Sequence, residues 1–410
     1  MLETIRIENY KSIETLVLPL GRINVFIGEN GAGKSNILEA IALAGAAQAR
    51  KLDNEFLASR GIRVSGPELM RSAFKMGKMS EPIKVSVKLK GGSEFSYELT
   101  NDNQPYSRWE NSSTIASRGG AKEFLDLLKE YVTNVEDNAE RTKLMREIAE
   151  KLRTAADEFE NNGSAKRHKK ISIQFKFPNV KNVRDPMRDA DAGGIEDFII
   201  YAPENSALRL LEREGQIEPL GINGEGLLKL LSVMSNDNSG VAIGAIKDSL
   251  KLFNWFEDFN ITEGKSRDQI EISDRFLVET KSKFDQRSAN EGFLFVAFYF
   301  ALFTSSLTPR FFAVDNVDSS LNPKLCATLM ARLAKLAKDH DKQVLFTTHN
   351  PAILDGLDLE DPEQRLFIVS RGPRGQTRAR RFEKKPSTER PRRLSEMFLS
   401  GVLGGLPKGF

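Results

Sequence analysis

One run of eight residues, Gly-Glu-Asn-Gly-Ala-Gly-Lys-Ser (Gly28 to Ser35), constrains this chain more than any other feature. It has the spacing G-x-x-x-x-G-K-[ST] and the surroundings that pattern requires. Arg22 to Gly28 (RINVFIG) reads as a buried strand before it, and Ser35 to Ala47 (SNILEAIALAGAA) as a helix after it. Gly28, Gly31 and Gly33 let successive backbone amides turn inward toward phosphate oxygens. The helix starting near Lys34 adds the positive end of its dipole. Lys34 reaches the outer phosphates, and Ser35 supplies a hydroxyl to magnesium. The nucleotide-binding residues expected from this stretch are Gly28, Glu29, Asn30, Gly31, Ala32, Gly33, Lys34, Ser35 and Asn36.

The rest of the chain supports an α/β fold. "TIRIENY" alternates like a half-solvated strand, and residues 82–100 read as a hairpin around Gly91-Gly92. From about Ala121 to Phe159 the chain is charged and helical, in two segments of about four turns each, too short for a coiled-coil rod. "ISIQFKF" resumes strand, and "GEGLLKLLSVM" through "DSLKLFNWFEDF" reads as helical, followed by short strands near 269–279. The final block alternates strand and helix (FFAVD, PKLCATLMARLAKLAKD, QVLFTTH), which argues for a parallel sheet with helices on its faces. The expected division is an N-terminal part of the nucleotide-binding head over 1–115, a helical insertion over 116–170, and a C-terminal part of the head over 171–410.

Composition excludes several classes. The net charge of +3 among 410 residues implies no partner by itself. Cys326 is the sole cysteine, so neither an intrachain disulfide nor a thiolate metal cluster can form. His168, His340 and His349 are too scattered for a histidine-rich metal site. The N-terminus lacks a signal-peptide pattern. The longest apolar run, Phe293 to Phe303, is half the length of a membrane span and reads as a buried helix. A cytoplasmic protein without membrane segments is expected.

In "RFFAVDNVDSSLNP" (Arg310 to Pro323), a buried strand would deliver the Asp315 carboxylate to a magnesium ion. The next position, where a water-activating glutamate is expected, holds Asn316. "IRIENYKSI" followed by "VFIGENGAGKSNILEAI" closely resembles the opening of the ABC-type AAA ATPases related to RecF, SMC and OLD proteins. The resemblance covers about 35 residues at the start and most of the chain from about 198 onward. It implies an ABC-type head with a mixed or parallel sheet flanked by helices, binding ATP and Mg2+. It places Lys11 near the nucleotide, Ser35 and Asp315 at the metal, Asp318 as second acid, and His349 as the γ-phosphate sensor. Ser319 and Ser320 fall where the family's D-loop crosses a dimer interface. Asn290, Glu291 and Gly292, opening the hydrophobic helix, match a weak form of the signature segment that contacts the other subunit's ATP. The 61 residues after His349, 350 to 410, are too few for an OLD-type nuclease domain.

Three accounts of Asn316 stay open: it positions water as an amide, Asp318 supplies the base, or hydrolysis is nearly absent. General-base help worth roughly 10²–10⁴-fold is at stake. Slow hydrolysis is favoured, because positioning and charge stabilisation dominate phosphoryl transfer. The resemblance further implies an ATP-sandwiched homodimer or larger homo-oligomer. It also implies a separately encoded effector, a nuclease or toxin, as in anti-phage defence. The alternative is a RecF-like DNA-binding ATPase in repair or chromosome maintenance. Its support is the basic stretch 371–393, within a run from Ser370 holding ten Lys/Arg and two Glu, and the basic cluster 165–170. A solvated hairpin face explains the same charge. The apolar tail, Leu394 to Phe410, is expected to pack on the core.

Overall fold

The computed structural model describes residues 1–74, 79–117, 142, 146, 150, 171–175, 192–210, 215–237, 240–262, 269–278, 283–383 and 392–405. The expected insertion over 116–170 lies almost wholly outside the described residues, as do the basic cluster 165–170 and residues 384–391. In chain order the described strands are β1 (Leu2–Tyr10), β2 (Ile13–Pro19), β3 (Ile23–Ile27), β4 (Ile83–Leu89), β5 (Glu94–Thr100), β6 (Glu110–Ser117), β7 (Ile171–Phe175) and β8 (Ile200–Tyr201). They continue with β9 (Phe256–Thr262), β10 (Gln269–Asp274), β11 (Lys283–Asp285), β12 (Phe311–Val314), β13 (Gln343–Thr348), β14 (Gln364–Arg371) and β15 (Thr377–Phe382).

Two compact units emerge. The first comprises residues 1–19, 43–53 and 65–196. Its strands form an antiparallel sheet in the order β2-β1-β4-β5-β6-β7. Register aligns Leu18, Ile5, Val87 and Phe95 in one cross-strand row and Leu16, Ile7, Val85 and Tyr97 in another. All eight are buried, while Arg6 and Val17 in the row between them face water. The hairpin expected at residues 82–100 is present as β4 and β5, closed where Gly92, at φ +90°, donates its N–H to the Leu89 carbonyl.

The second unit comprises residues 20–42, 54–64 and 197–410. Its main sheet runs β15-β14-β3-β13-β12-β8, parallel throughout except for β15. β3, β12 and β13 are buried at every residue, as strands covered on both faces must be. This is the α/β head with a mixed sheet and flanking helices that the sequence predicts. The apolar helix Glu291–Thr304 is buried from Gly292 to Thr304 and contributes Phe293 to Phe303 to the core. No helix among the described residues is long and apolar enough to cross a membrane.

A smaller antiparallel sheet, β11-β10-β9, belongs to this unit and corrects one expectation. The helix expected to run through Phe259 is Val241–Leu250, and the chain enters β9 at Phe256. Phe256 and Phe259 reach the core from a strand, where aromatic side chains are well accommodated. The tail behaves as expected through residue 405: Leu394, Phe398 and Leu403 are buried in the main core.

Candidate nucleotide-binding site

The parallel register assembles the site. β12 pairs with β13 through Val314 and Phe346, and β13 pairs with β3 through Thr348 and Ile27. Each strand's next residues therefore emerge together at the carboxyl edge of the sheet: Gly28, Asp315 and His349. Ligand sites of open α/β sheets lie at this edge.

The loop after β3 turns through Gly31 (φ +74°) and Gly33 (φ +104°) into the helix Lys34–Gln48. A Cβ on Gly28 would sit 2.0 Å from the Val369 carbonyl oxygen, so no side chain fits there. The Lys34 ammonium is buried and donates to the carbonyls of Gly28 (2.8 Å) and Glu29 (3.0 Å), with His349 Nδ1 3.5 Å away. Burial pushes its pKa down to about 8, against the opposing pull of Asp315, Asp318 and Glu29. Two outward carbonyls are held from β14 and β15. Gly31 O accepts from Arg371 Nε (2.7 Å) and Ala32 O from Thr377 Oγ1 (2.9 Å). Asn36, half-buried in the helix's first turn, accepts from Arg63 Nη2 (3.1 Å), and the same arginine pairs with buried Glu39. Asn30 is exposed, Glu29 half-exposed and Ala32 buried.

Asp315 faces two hydroxyls. Ser35 Oγ donates to Oδ2 at 3.1 Å, and Thr347 Oγ1 donates to Oδ1. Thr347 Oγ1 also accepts the Asn316 N–H at 2.9 Å. Thr348 Oγ1 donates to Asp318 Oδ1 at 2.6 Å and accepts the Asn350 N–H at 3.0 Å. Two adjacent threonines of one strand thus orient both acids. His349 is exposed, yet burial of its ring and then the Lys34 charge hold its pKa below the usual histidine range.

The donor set fits a magnesium ion that arrives with phosphate. Ser35 and Asp315 offer two hard oxygens at one point, and Mg2+ is commonly held by one or two protein oxygens with phosphates and water completing the octahedron. Among the described residues no cluster of three or more His, Cys, Asp or Glu could cage a metal by itself.

Asn290–Gly292 and Ser319–Ser320 form a second group. Asn290 caps the helix Glu291–Thr304 by position, without a side-chain capping bond. Ser320 Oγ donates to the Glu291 carboxylate, and Gly292 lies where a Cβ would come within 3.3 Å of Ser320 O. Ser319 donates both its N–H (3.0 Å) and its hydroxyl (2.9 Å) to Asn316 O. Asn316 itself is exposed with φ +54°. Lys11 lies in the first unit, in the β1–β2 turn, where its N–H donates to Met70 O (3.0 Å) and its ammonium lies 5.5 Å from the Tyr10 ring centre.

Sequence reasoning missed Thr347, Thr348, Arg371 and Thr377. The threonine pair stands in the quoted "QVLFTTH", where an alternating strand would aim only one inward. Arg371 sits inside a basic run, and charge alone does not tell which arginine turns in.

A family model described as "AAA domain, putative AbiEii toxin, Type IV TA system" matches residues 23–355. An uncharacterised protein of Methanocaldococcus jannaschii is 33% identical over 153 residues, spanning 35% of this chain and 68% of that protein. Among solved structures, an SMC head bound to the C-winged helix domain of ScpA superposes with a TM-score of 0.51 at 14% identity, covering 93% of this chain and 98% of that one. The SMC head domain from Thermotoga maritima gives 0.43 at 15% identity, covering 93% and 99%.

Proposed function

This chain belongs to the AAA-domain family whose model spans residues 23–355, and on that premise we propose that it binds MgATP in its Gly28–Asn36 cradle and hydrolyses it slowly. The ABC-type ATPase domain and the SMC-head fold are its frame. One observation carries the reading: Lys34, Ser35, Asp315, Asp318 and His349 converge at the carboxyl edge of three adjacent parallel strands. A bound magnesium ion supplies charge neutralisation to the outer phosphates; Ser35 and Asp315 would hold it.

The side chains divide the remaining work. Lys34 exchanges the Gly28 and Glu29 carbonyls for phosphate oxygens, which as anions are the stronger acceptors. His349, kept neutral at pH 7 by the lowering of its pKa, can report the γ-phosphate through one ring N–H. Asp318, fixed by Thr348, is the candidate base, and Asn316 can orient water as an amide. Ser319 and the Asn290–Gly292 segment would face the nucleotide of a second copy in an ATP-sandwiched homodimer. That dimer would switch a separately encoded nuclease or toxin in cytoplasmic anti-phage defence, a role favoured by the family's toxin–antitoxin description.

The test is steady-state ATP turnover with Mg2+ in wild type, Lys34→Ala and Asp318→Ala. Slow wild-type turnover is expected, abolished in Lys34→Ala and reduced roughly 10²–10⁴-fold in Asp318→Ala if that acid is the base. Unchanged turnover in Asp318→Ala would leave water to Asn316. A wild type that binds no ATP would sink the reading.

A further inference from the structure

A phosphate cradle makes demands on two sides. When its amides point inward, its carbonyls point outward and need donors of their own. Lys34 serves Gly28 O and Glu29 O only until phosphate draws its ammonium away. The next two carbonyls, of exposed Gly31 and buried Ala32, have independent holders in Arg371 and Thr377.

Both come from one hairpin and face each other across it, Arg371 pairing with Thr377 in the β14–β15 register. The turn between them is tied internally: Gly372 N–H donates to Gln376 O (2.7 Å), Gly375 N–H to Gly372 O (2.9 Å), and Arg371 Nη1 to Gly375 O. β14 is also the parallel neighbour of β3, the strand that launches the cradle. The two grips differ. Thr377 is buried, with 2% of its surface exposed, whereas Arg371 is exposed.

We infer that Arg371 and Thr377 are positioning residues that set the ATP affinity of the cradle from the β14–β15 hairpin. The inference rests on the nucleotide reading above. Holding Gly31 O and Ala32 O keeps their peptide planes turned so that the amides stay inward. Without its holder each plane turns more easily, the Gly31–Ala32 plane keeping only the 3.3 Å bond from the Ala32 N–H to Glu29 O, and the amides must be reoriented on binding. That cost falls on affinity, because the reacting groups Asp315, Asp318 and His349 stand on other strands. The basic hairpin therefore serves the nucleotide site directly, whatever its other arginines contact.

The experiment compares equilibrium ATP affinity and kcat at saturating MgATP in wild type, Arg371→Ala, Thr377→Val and Thr377→Ser. Loss of one such hydrogen bond corresponds to about tenfold in affinity. Arg371→Ala and Thr377→Val should each bind ATP about tenfold more weakly, with kcat within about twofold of wild type, and Thr377→Ser should recover most of the loss. Because Arg371 is exposed, its replacement should leave the melting temperature unchanged. Affinities within twofold of wild type in both Arg371→Ala and Thr377→Val would overturn the inference, as would a Thr377→Ser variant as weak as Thr377→Val. A wild type with no measurable ATP binding would instead overturn the nucleotide reading on which it rests.

Discussion

The antiparallel sheet of the first unit and the parallel sheet of the second bury similar side chains under different rules. In β4 the pattern alternates: Ile83, Val85 and Val87 are buried and Lys84 is exposed. In β13 no position reaches water, from Gln343 to Thr348. The alternating sheet spends half its residues on solvent and can carry charge anywhere along its open face. The continuously buried sheet can place polar chemistry only where strands end, so Gly28, Asp315 and His349 share one edge. A polar residue inside such a strand must bring its own partners, as Thr347 and Thr348 do.

The contrast breaks most visibly under neighbouring alanine substitutions. Leu345→Ala and Phe346→Ala point to opposite faces of β13, and each should cost about 2–5 kcal/mol. In β4, Lys84→Ala should stay within about 0.5 kcal/mol, since its ion pair with Glu98 is half-exposed. Urea-unfolding midpoints decide it, and a Leu345→Ala as mild as Lys84→Ala would remove the two-faced reading of β13. Thr347→Val tests the buried polar exception. It strands the Asn316 N–H and loosens Asp315, for an expected loss of about 1–3 kcal/mol and a higher Mg2+ requirement for turnover, with Thr347→Ser recovering most of both.

The third effect is smaller and concerns the edge itself. Burial lowers the Lys34 pKa to about 8 from its ordinary 10.5. Between these values the unfolded chain holds this proton and the native protein does not, so this group's contribution to stability rises with pH across the window. ATP affinity runs the other way, because phosphate needs the ammonium form. It should be flat below pH 7 and weaken by up to about tenfold per pH unit above 8. ATP titrations at pH 7, 8 and 9 would show it, and Lys34→Arg, charged throughout, should flatten the profile.

Much of this was legible in the residues because the informative signals are local. The cradle is contiguous, the alternation of β1, β4 and β5 is a period-two pattern, and the apolar runs of β3 and β12 announce burial on both faces. What escaped was whatever depends on direction or register. "DSLKLFNWFEDF" holds enough apolar residues to suit either helix or strand, and the change at Leu250 follows from Phe256 and Phe259 pairing into the smaller sheet. The pairing of Asp315 with Thr347 required knowing that β12 and β13 are parallel neighbours in a given register. Arg371 and Arg378 look alike in sequence and are both exposed, yet it is the first that grips the Gly31 carbonyl.

Asn316 stands in the left-handed region, at φ +54°. Asparagine, like aspartate, adopts that backbone more readily than most residues that carry a side chain. Glutamate at this position would bring the carboxylate that a hydrolase wants together with a backbone penalty of about 1 kcal/mol. Repairing the chemistry and preserving the turn thus pull against each other at a single residue. A glutamate here would need the turn from Asn316 to Ser319 reshaped around it.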